Sequence, residues 1–431
     1  MKAERYRTFL VSLYDAAVAA AQPALCLPQH FPPAPANGRL FVVACGKGAA
    51  PMAKAAEAHY AEAIAAGRCE GLCVTRRGYG LPLAHFELIE ASHPVPDASS
   101  LAAAERALAV AEGAREDDLV LVLISGGASA LWAAPAEGLT LADKQALTRS
   151  LLKAGATIHD INTVRKHMSR IKGGRFTRAA FPATVVTLAI SDVPGDAPDT
   201  IGSGPTVPDT TNLADARAIL ARFRIAAPPA ITAALDKPEN ETPKPDDPAF
   251  ARSRFVLAAA PKASLDAAAA RAEAAGYAPM LLGDDLEGEA RDVARAHAEL
   301  ALAKAAEGRK IAIISGGELT VTIRGSGRGG PNQEYALALA IALGGAPGIY
   351  ALAGDTDGSD GGSGATDDPA GAVIYPDTLA RAHGLSADPA DFLAKNDSTG
   401  FFEMLDDLVV CGPTYTNVND LRVILVEPAN S

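Results

Sequence analysis

Several features that would settle a function at once are missing from this chain. There is no long basic run, and 39 Lys and Arg against 51 Asp and Glu leave a net charge of −12. Nucleic acid and anionic membrane surfaces are therefore not expected partners. The five cysteines (Cys26, Cys45, Cys69, Cys73, Cys411) are odd in number and scattered. That excludes a disulfide framework and zinc spacing, and a reducing, cytoplasmic location is expected. No segment approaches the ~18 uninterrupted apolar residues needed to span a bilayer. A Walker A sequence G-x-x-x-x-G-K-[ST] is absent, as is a G-x-S-x-G elbow, so a conventional P-loop enzyme and an α/β-hydrolase are both out. No fixed-period repeat suggests a solenoid.

What is present is a recurring local unit. "FVVACGKGAAPMAKAAE" (41–57) is a short apolar strand, a Gly46-Lys47-Gly48 turn and an Ala-rich helix. "DDLVLVLISGGASALW" (117–132) repeats it with Ser125-Gly126-Gly127, and "RFVLAAAPKASLDAAAARAEAAG" (254–276) repeats it without the glycines. Continuous apolar strands alternating with helices predict a mainly parallel sheet covered on both faces, with ligands at the carboxyl ends of its strands. Backbone amides at a helix start carry partial positive charge, so a turn that also holds Lys47 suits an anion; a solvated lysine on a tight turn is the plain alternative. The N-terminal stretch "MKAERYRTFLVSLYDAAVAAAQPA" has the outline of a secretory signal, but Asp15 interrupts its apolar middle. Phe9, Leu10, Leu13, Ala17 and Val18 recur at helical spacing, which predicts an amphipathic first helix. "DKPENETPKPDD" (236–247), rich in Pro and charge, reads as an exposed connection and domain boundary.

Four loops carry the chemistry. "INTVRKHMSRIKGGR" (161–175) concentrates Arg165, Lys166, His167, Arg170, Lys172 and Arg175 in an acidic chain. Such a local positive field suits a bound anion, while a solvated helix face ending at Gly173-Gly174 is the plain alternative. "AISDVPGDAPDTIGSGPTVPD" (189–209) places Asp192, Gly195 and Asp196 at a strand's carboxyl end, where two carboxylates hold Mg²⁺ through water or cap turns. "RGSGRGGPNQEYALALAIAL" (324–343) contains G-x-G-x-x-G at Gly325, Gly327 and Gly330. The preceding "ELTVTIR" alternates polar and apolar residues, which predicts a half-exposed strand antiparallel to "KIAIISGG", unlike the buried parallel strand of a dinucleotide fingerprint. "AGDTDGSDGGSGATDDPAGAV" (353–373) sets Asp355, Asp357 and Asp360 among glycines, but the twelfth position of an EF-hand would be Thr366, which excludes that calcium loop.

Taken together and in order, "GKGAAPMA", "SGGASAL", "INTVRKHMSRIKGGR", "SDVPGDAPDTIGSGPT", "SGGELTVTIRGSGRGGPNQE", "GDTDGSDG" and "CGPTYTNVNDL" resemble the class II glycerate 2-kinases, whose C-terminal half is called the MOFRL domain. The resemblance covers most of the chain from about Lys47 to Leu421. It implies an α/β protein with an N-terminal Rossmann-like domain (1–240) and a C-terminal mixed-sheet region (250–431), with the MOFRL part at about 308–425, 250–307 unassigned and the active site in the cleft between. The activity it implies is transfer of the γ-phosphate of ATP to the 2-hydroxyl of D-glycerate with Mg²⁺, by a monomer or homodimer. By the same resemblance Lys47, Asp192 and Asp196 are catalytic, the two Asp serving either to hold Mg²⁺ or to orient the attacking hydroxyl. Gly46, Gly48, Ser125, Gly126, Gly127, Ser129 and Gly195 bind nucleotide phosphate. Arg165, Lys172, Arg328, Asn332, Glu334, Asp355 and Asp357 contact substrate. Some members have Arg where this chain has Pro331, which leaves Arg328 to supply that charge. Two other readings compete: an NAD(P)H-dependent hydroxypyruvate reductase, a name some relatives carry, and a non-catalytic sugar-phosphate-binding protein. His167, Cys45 and Trp132 are expected to be structural.

Overall fold

The computed structural model describes residues 2–428 except 363, 364 and 366. Two compact units are present, one formed by Cys26–Ala258 and the other by Met1–Leu25 together with Ala259–Ser431.

In the unit Cys26–Ala258, β1 (Leu40–Cys45), β2 (Cys69–Arg76), β3 (Glu87–Ala91), β4 (Leu119–Ile124), β5 (Thr184–Ile190) and β6 (Ser253–Ala259) form one sheet in the order β3-β2-β1-β4-β5-β6. The pairs from β3 through β5 are parallel. β1 and β4 are buried along their whole length, as expected of apolar runs with helices on both faces. Their core partners include Ala103, Ala104 and Ala107 of the helix Ala98–Gly113, whose small side chains bring it close to the sheet. Trp132 is a core residue, stacked on Phe176 with ring centroids 5.4 Å apart. The strand order reverses direction at β1 and β4, and the loops leaving the carboxyl ends of those strands are the Gly46-Lys47-Gly48 and Ser125-Gly126-Gly127 turns. This is the crevice where open α/β sheets collect ligands.

The second unit contains β7 (Ala278–Leu281), β8 (Gly288–Glu289), β9 (Ile311–Ser315), β10 (Leu319–Thr320), β11 (Ile349–Asp355), β12 (Gly371–Ile374), β13 (Leu408–Val409) and β14 (Asp420–Val426). Six of them form a mixed sheet in the order β13-β12-β11-β14-β9-β7, antiparallel except for the parallel β7–β9 pair. The first helix, Lys2–Ala20, packs in this unit: Leu10, Leu13, Tyr14 and Ala17 are buried against Leu352 and Val423 of the sheet. The amphipathic reading of that helix holds, though the sequence placed it in the N-terminal domain. No single helix among the described residues is long and apolar enough to cross a membrane.

Two local expectations fail. "ELTVTIR" forms only the two-residue strand β10, which pairs parallel with β8, while β9 pairs with β14 and β7. The chain leaves the expected hairpin at Gly317 (φ +93), where any Cβ would meet the Leu286 backbone at 2.2 Å. The stretch 236–247 is not an exposed connection either. Asn240 and Thr242 are buried, Asn240 Nδ2 donates to Ala234 O at 2.8 Å, and Glu241 accepts from Lys244 Nζ at 2.6 Å. Glu241 and Lys244 pair locally while Asp236, Lys237, Glu239 and Asp246 stay exposed, a division that composition alone does not reveal.

Candidate active site

The Lys47 turn is fixed by its neighbour more than by its own glycines. Gly46 (φ +138) has no room for a side chain, because a Cβ there would lie 2.1 Å from Ser125 Oγ and 2.6 Å from Ser125 O. The two strand-end turns are laced together: Lys47 N–H donates to Gly126 O at 2.7 Å, and Gly48 N–H donates to Ser125 Oγ at 2.9 Å. Gly46 N–H donates to Val74 O at 3.1 Å, and the Thr75 hydroxyl donates to Gly46 O at 3.0 Å. The amides expected to cradle an anion are thus directed at protein acceptors. The positive charge this turn offers is the side chain of Lys47, half-buried at the start of the helix Ala49–His59.

Two other groups converge there. A Cβ on Gly126 would lie 1.8 Å from Asp192 Oδ2, so the carboxylate of Asp192 rests directly on the turn. A Cβ on Gly127 (φ +83) would lie 3.3 Å from Lys47 Cγ and 3.1 Å from His93 Nε2. Lys47, Asp192, His93 and the Ser-Gly-Gly turn therefore share one corner at the sheet's switch point. Gly195 (φ +74) and Asp196 (φ +53) lie on the following 3-10 turn, with Gly195 exposed and Asp196 Oδ1 buried without a hydrogen-bond partner. No group of three or more His, Cys, Asp or Glu with metal-binding geometry occurs among the described residues. A Mg²⁺ ion needs fewer, since it is commonly held by one or two carboxylates with waters and substrate phosphates. The orphaned oxygen of Asp196 and the carboxylate of Asp192 fit that donor set.

Beside this corner lies a cavity of about 400 Å³ lined by His93, Gly127, Ser129, Lys144, Arg165 and Lys172 among others. The plain reading of 161–175 as a solvated face does not hold. Lys166, Lys172 and Arg175 are all buried, Lys166 against Asp199 at 3.1 Å and Asp209 at 3.4 Å. Lys172 Nζ donates to Ser129 O at 2.9 Å. Ser129 Oγ is 2.8 Å from Ser203 Oγ, Ser203 donates to Asn162 Oδ1 at 3.2 Å, and Arg165 Nη1 donates to the same Asn162 oxygen at 3.2 Å. This network orients Ser129 and Arg165. His167 is structural as expected, its ring nitrogens engaged by Thr163 O at 2.8 Å and Glu241 Oε1 at 3.1 Å. Burial pushes the Cys45 thiol well above its usual range, consistent with an inert core position.

In the other unit the glycine-rich loop 324–330 is not a βα turn. Gly325 and Gly327 lie against the backbone of Lys395 and Asp397, Gly330 lies against Asp360, and a side chain on any of the three would clash. Asn332 sits at the start of the helix Pro331–Leu343, with its N–H donating to Asp360 Oδ1 at 3.0 Å and its Nδ2 to Asp420 Oδ1 at 2.7 Å. Burial raises the Asp360 carboxyl to about 7. Glu334 pairs with Arg291 at 2.6 Å and accepts from Asn396 at 2.9 Å. Asp355 and Asp357 accept from backbone N–H groups two residues on, each at 2.9 Å. Arg328 is exposed and pairs with Glu403. Asn332 Nδ2 and both Glu334 oxygens are thus engaged by neighbouring segments, while Asn332 Oδ1 is buried without a hydrogen-bond partner. Thr366 lies outside the described residues.

The chain is similar to known proteins over most of its length. The family model described as a domain of unknown function, DUF4147, matches residues 9–236, and the MOFRL family model matches 311–420. A D-glycerate 2-kinase of Thermotoga maritima is 38% identical over 90% of this chain and 91% of its own length. A crystal structure titled glycerate kinase, also from T. maritima, superposes with a TM-score of 0.88 at 36% identity, covering 98% of this chain and 100% of that one. The chain belongs to the glycerate kinase family. A relative from Agrobacterium vitis, provisionally named as a hydroxypyruvate reductase, is 49% identical over 97% of this chain and 94% of its own. Within the glycerate kinase family frame, the DUF4147 match contains the Lys47 corner and its cavity, and the MOFRL match contains the 324–334 and 355–360 loops.

Sequence reasoning missed His93 and Lys144. Lys144 lies in the helix Leu141–Lys153 behind a Thr140–Asp143 capping box, where it reads as any lysine of a surface helix.

Proposed function

We propose that this protein transfers the γ-phosphoryl group of ATP to the 2-hydroxyl of D-glycerate, giving 2-phospho-D-glycerate. The observation that carries the reading is the corner where Lys47 and Asp192 meet the Ser125-Gly126-Gly127 turn at the switch point, beside a cavity with ample room for a three-carbon acid. Charge in the phosphoryl-transfer transition state spreads over three equatorial oxygens, and a fixed ammonium at that point lowers its energy. Lys47 supplies it. Asp192 or Asp196 would orient the acceptor hydroxyl and accept its proton, and Ser129 would hold the acceptor. Asp192 and Asp196 would hold Mg²⁺, which when bound neutralises phosphate charge.

The reductase reading has the name of the A. vitis relative in its favour. Against it stands the G-x-G-x-x-G stretch, whose glycines serve loop packing and do not follow a buried parallel strand. The deciding experiment incubates the protein with Mg-ATP and D-glycerate, and separately with NADH or NADPH and hydroxypyruvate. Phosphoglycerate formation without nicotinamide oxidation is expected; the opposite pattern would replace the kinase by the reductase.

A further inference from the structure

The cavity beside Gly127 brings Lys144, Arg165 and Lys172 to one place. None of the three makes a salt bridge among the described residues, in a chain whose other buried lysine, Lys166, is held by two aspartates. Lys144 Nζ is cut off from solvent and has no hydrogen-bond partner. Lys172 is 1% exposed and donates only to the carbonyls of Ser129 and Gly202. The wall around them is apolar, built from Pro94, Val95, Ala130 and Ala133 among others. Cations in such surroundings are poorly solvated and repel one another, so an anion entering the cavity gains from all three at once.

We propose that Lys144, with Arg165 and Lys172, forms the subsite for the carboxylate of a short 2-hydroxy acid. The identity of the acid rests on the glycerate kinase reading above. Gly127 and Ser129 line the same cavity and belong to the turn against which Lys47 packs. A carboxylate held at Lys144 therefore leaves the adjacent hydroxyl near the Lys47–Asp192 corner. Burial, and then the charges of Arg165 and Arg175, bring the ammonium of Lys144 down to about 7, while Lys172 falls well below the usual lysine range from burial and the Lys144 charge. The cationic groups around Lys144 are Arg165, Lys172 and Arg175, and Arg149 and His93 also line the cavity. A bound carboxylate restores the charged form of Lys144, so binding above pH 7 takes up a proton.

The test is calorimetric titration of the nucleotide-free full chain with D-glycerate, glycerol and inorganic phosphate, using wild type, Lys144→Met and Lys144→Arg. D-glycerate is expected to bind wild type, and glycerol, which lacks the carboxylate, at least about 10-fold more weakly. Lys144→Met should lose about 10-fold or more in glycerate affinity and keep its affinity for an ATP analogue, with Lys144→Arg in between. Unchanged glycerate affinity in Lys144→Met, or a loss confined to the ATP analogue or to phosphate, would overturn the assignment. The subsite and the kinase reading can fail separately. Glycerate bound through Lys144 but never phosphorylated would retain the first and end the second, whereas phosphorylation with an unchanged glycerate KM in Lys144→Met would do the reverse.

Discussion

Replacing Lys47 by Ala removes the ammonium at the proposed phosphoryl-transfer corner. The backbone of residue 47 makes two contacts that hold the turn: its N–H donates to Gly126 O at 2.7 Å and its carbonyl accepts from Thr75 Oγ1 at 3.2 Å. Both survive in the alanine variant, so the fold should be retained, which a cooperative thermal melt checks. An ammonium 4 Å from a unit charge at an effective dielectric of 20 contributes about 4 kcal/mol. Removal of a single preorganised donor from an active site costs about 2.7–4 kcal/mol, so kcat should fall by about 10²- to 10³-fold. Lys47→Arg should fail substantially as well. The Lys47 stem and His93 both lie against Gly127, and a planar guanidinium does not replace a compact charge in that crowded corner. Steady-state kinetics with D-glycerate and Mg-ATP, with thermal melts as the folding control, decide the matter. A folded Lys47→Ala variant with wild-type kcat would refute the assignment.

Three further expectations follow from particular residues. Glycerate affinity of the wild type should be flat below pH 7 and weaken at higher pH, where the free enzyme has lost the Lys144 proton; Lys144→Met should flatten that profile, which calorimetry between pH 6 and 9 measures (about two units above the transition). The folded-state value of Lys144 lies below that of an unfolded lysine, so ligand-free stability grows as pH rises from about 7, and Lys144→Met should melt at or above the wild-type temperature at neutral pH. Leu13→Ala, in a fully buried position of the first helix, should cost about 2–5 kcal/mol in denaturant unfolding. A shift under about 0.5 kcal/mol would show that the helix Lys2–Ala20 is not part of the core.

The parts of the fold that the sequence made legible were those governed by periodicity. The apolar runs of β1 and β4 are buried from end to end, and the helical spacing of Leu10, Leu13 and Ala17 marks a real buried face. The Gly-Lys-Gly turn was read correctly as a strand-to-helix junction, but its glycines exist because Ser125 and its backbone press against Gly46, a contact between residues 79 apart that no local pattern encodes. The same limit explains the lost hairpin at Gly317, where Leu286 blocks the expected path, and the packed Asn240–Thr242 segment, where Ala234 and Asp209 take up the polar groups. Lys144 was invisible for a related reason. Its helix carries polar residues at solvent-facing spacing, and only the tertiary arrangement turns that lysine toward Arg165 and Lys172. The positive cluster at 161–175 was visible as composition, whereas its division into a paired lysine, Lys166, and cavity-lining Arg165 and Lys172 required the fold.

The central claim, phosphoryl transfer to the 2-hydroxyl of D-glycerate, is tested most directly by the product itself. Incubation with Mg-ATP and D-glycerate, followed by ³¹P and ¹H NMR of the reaction mixture, distinguishes the two monophosphates by which carbon's proton couples to phosphorus. The account predicts 2-phospho-D-glycerate with stoichiometric ADP. Phosphate appearing only on the 3-hydroxyl, or no phosphoglycerate from a folded protein, would contradict it.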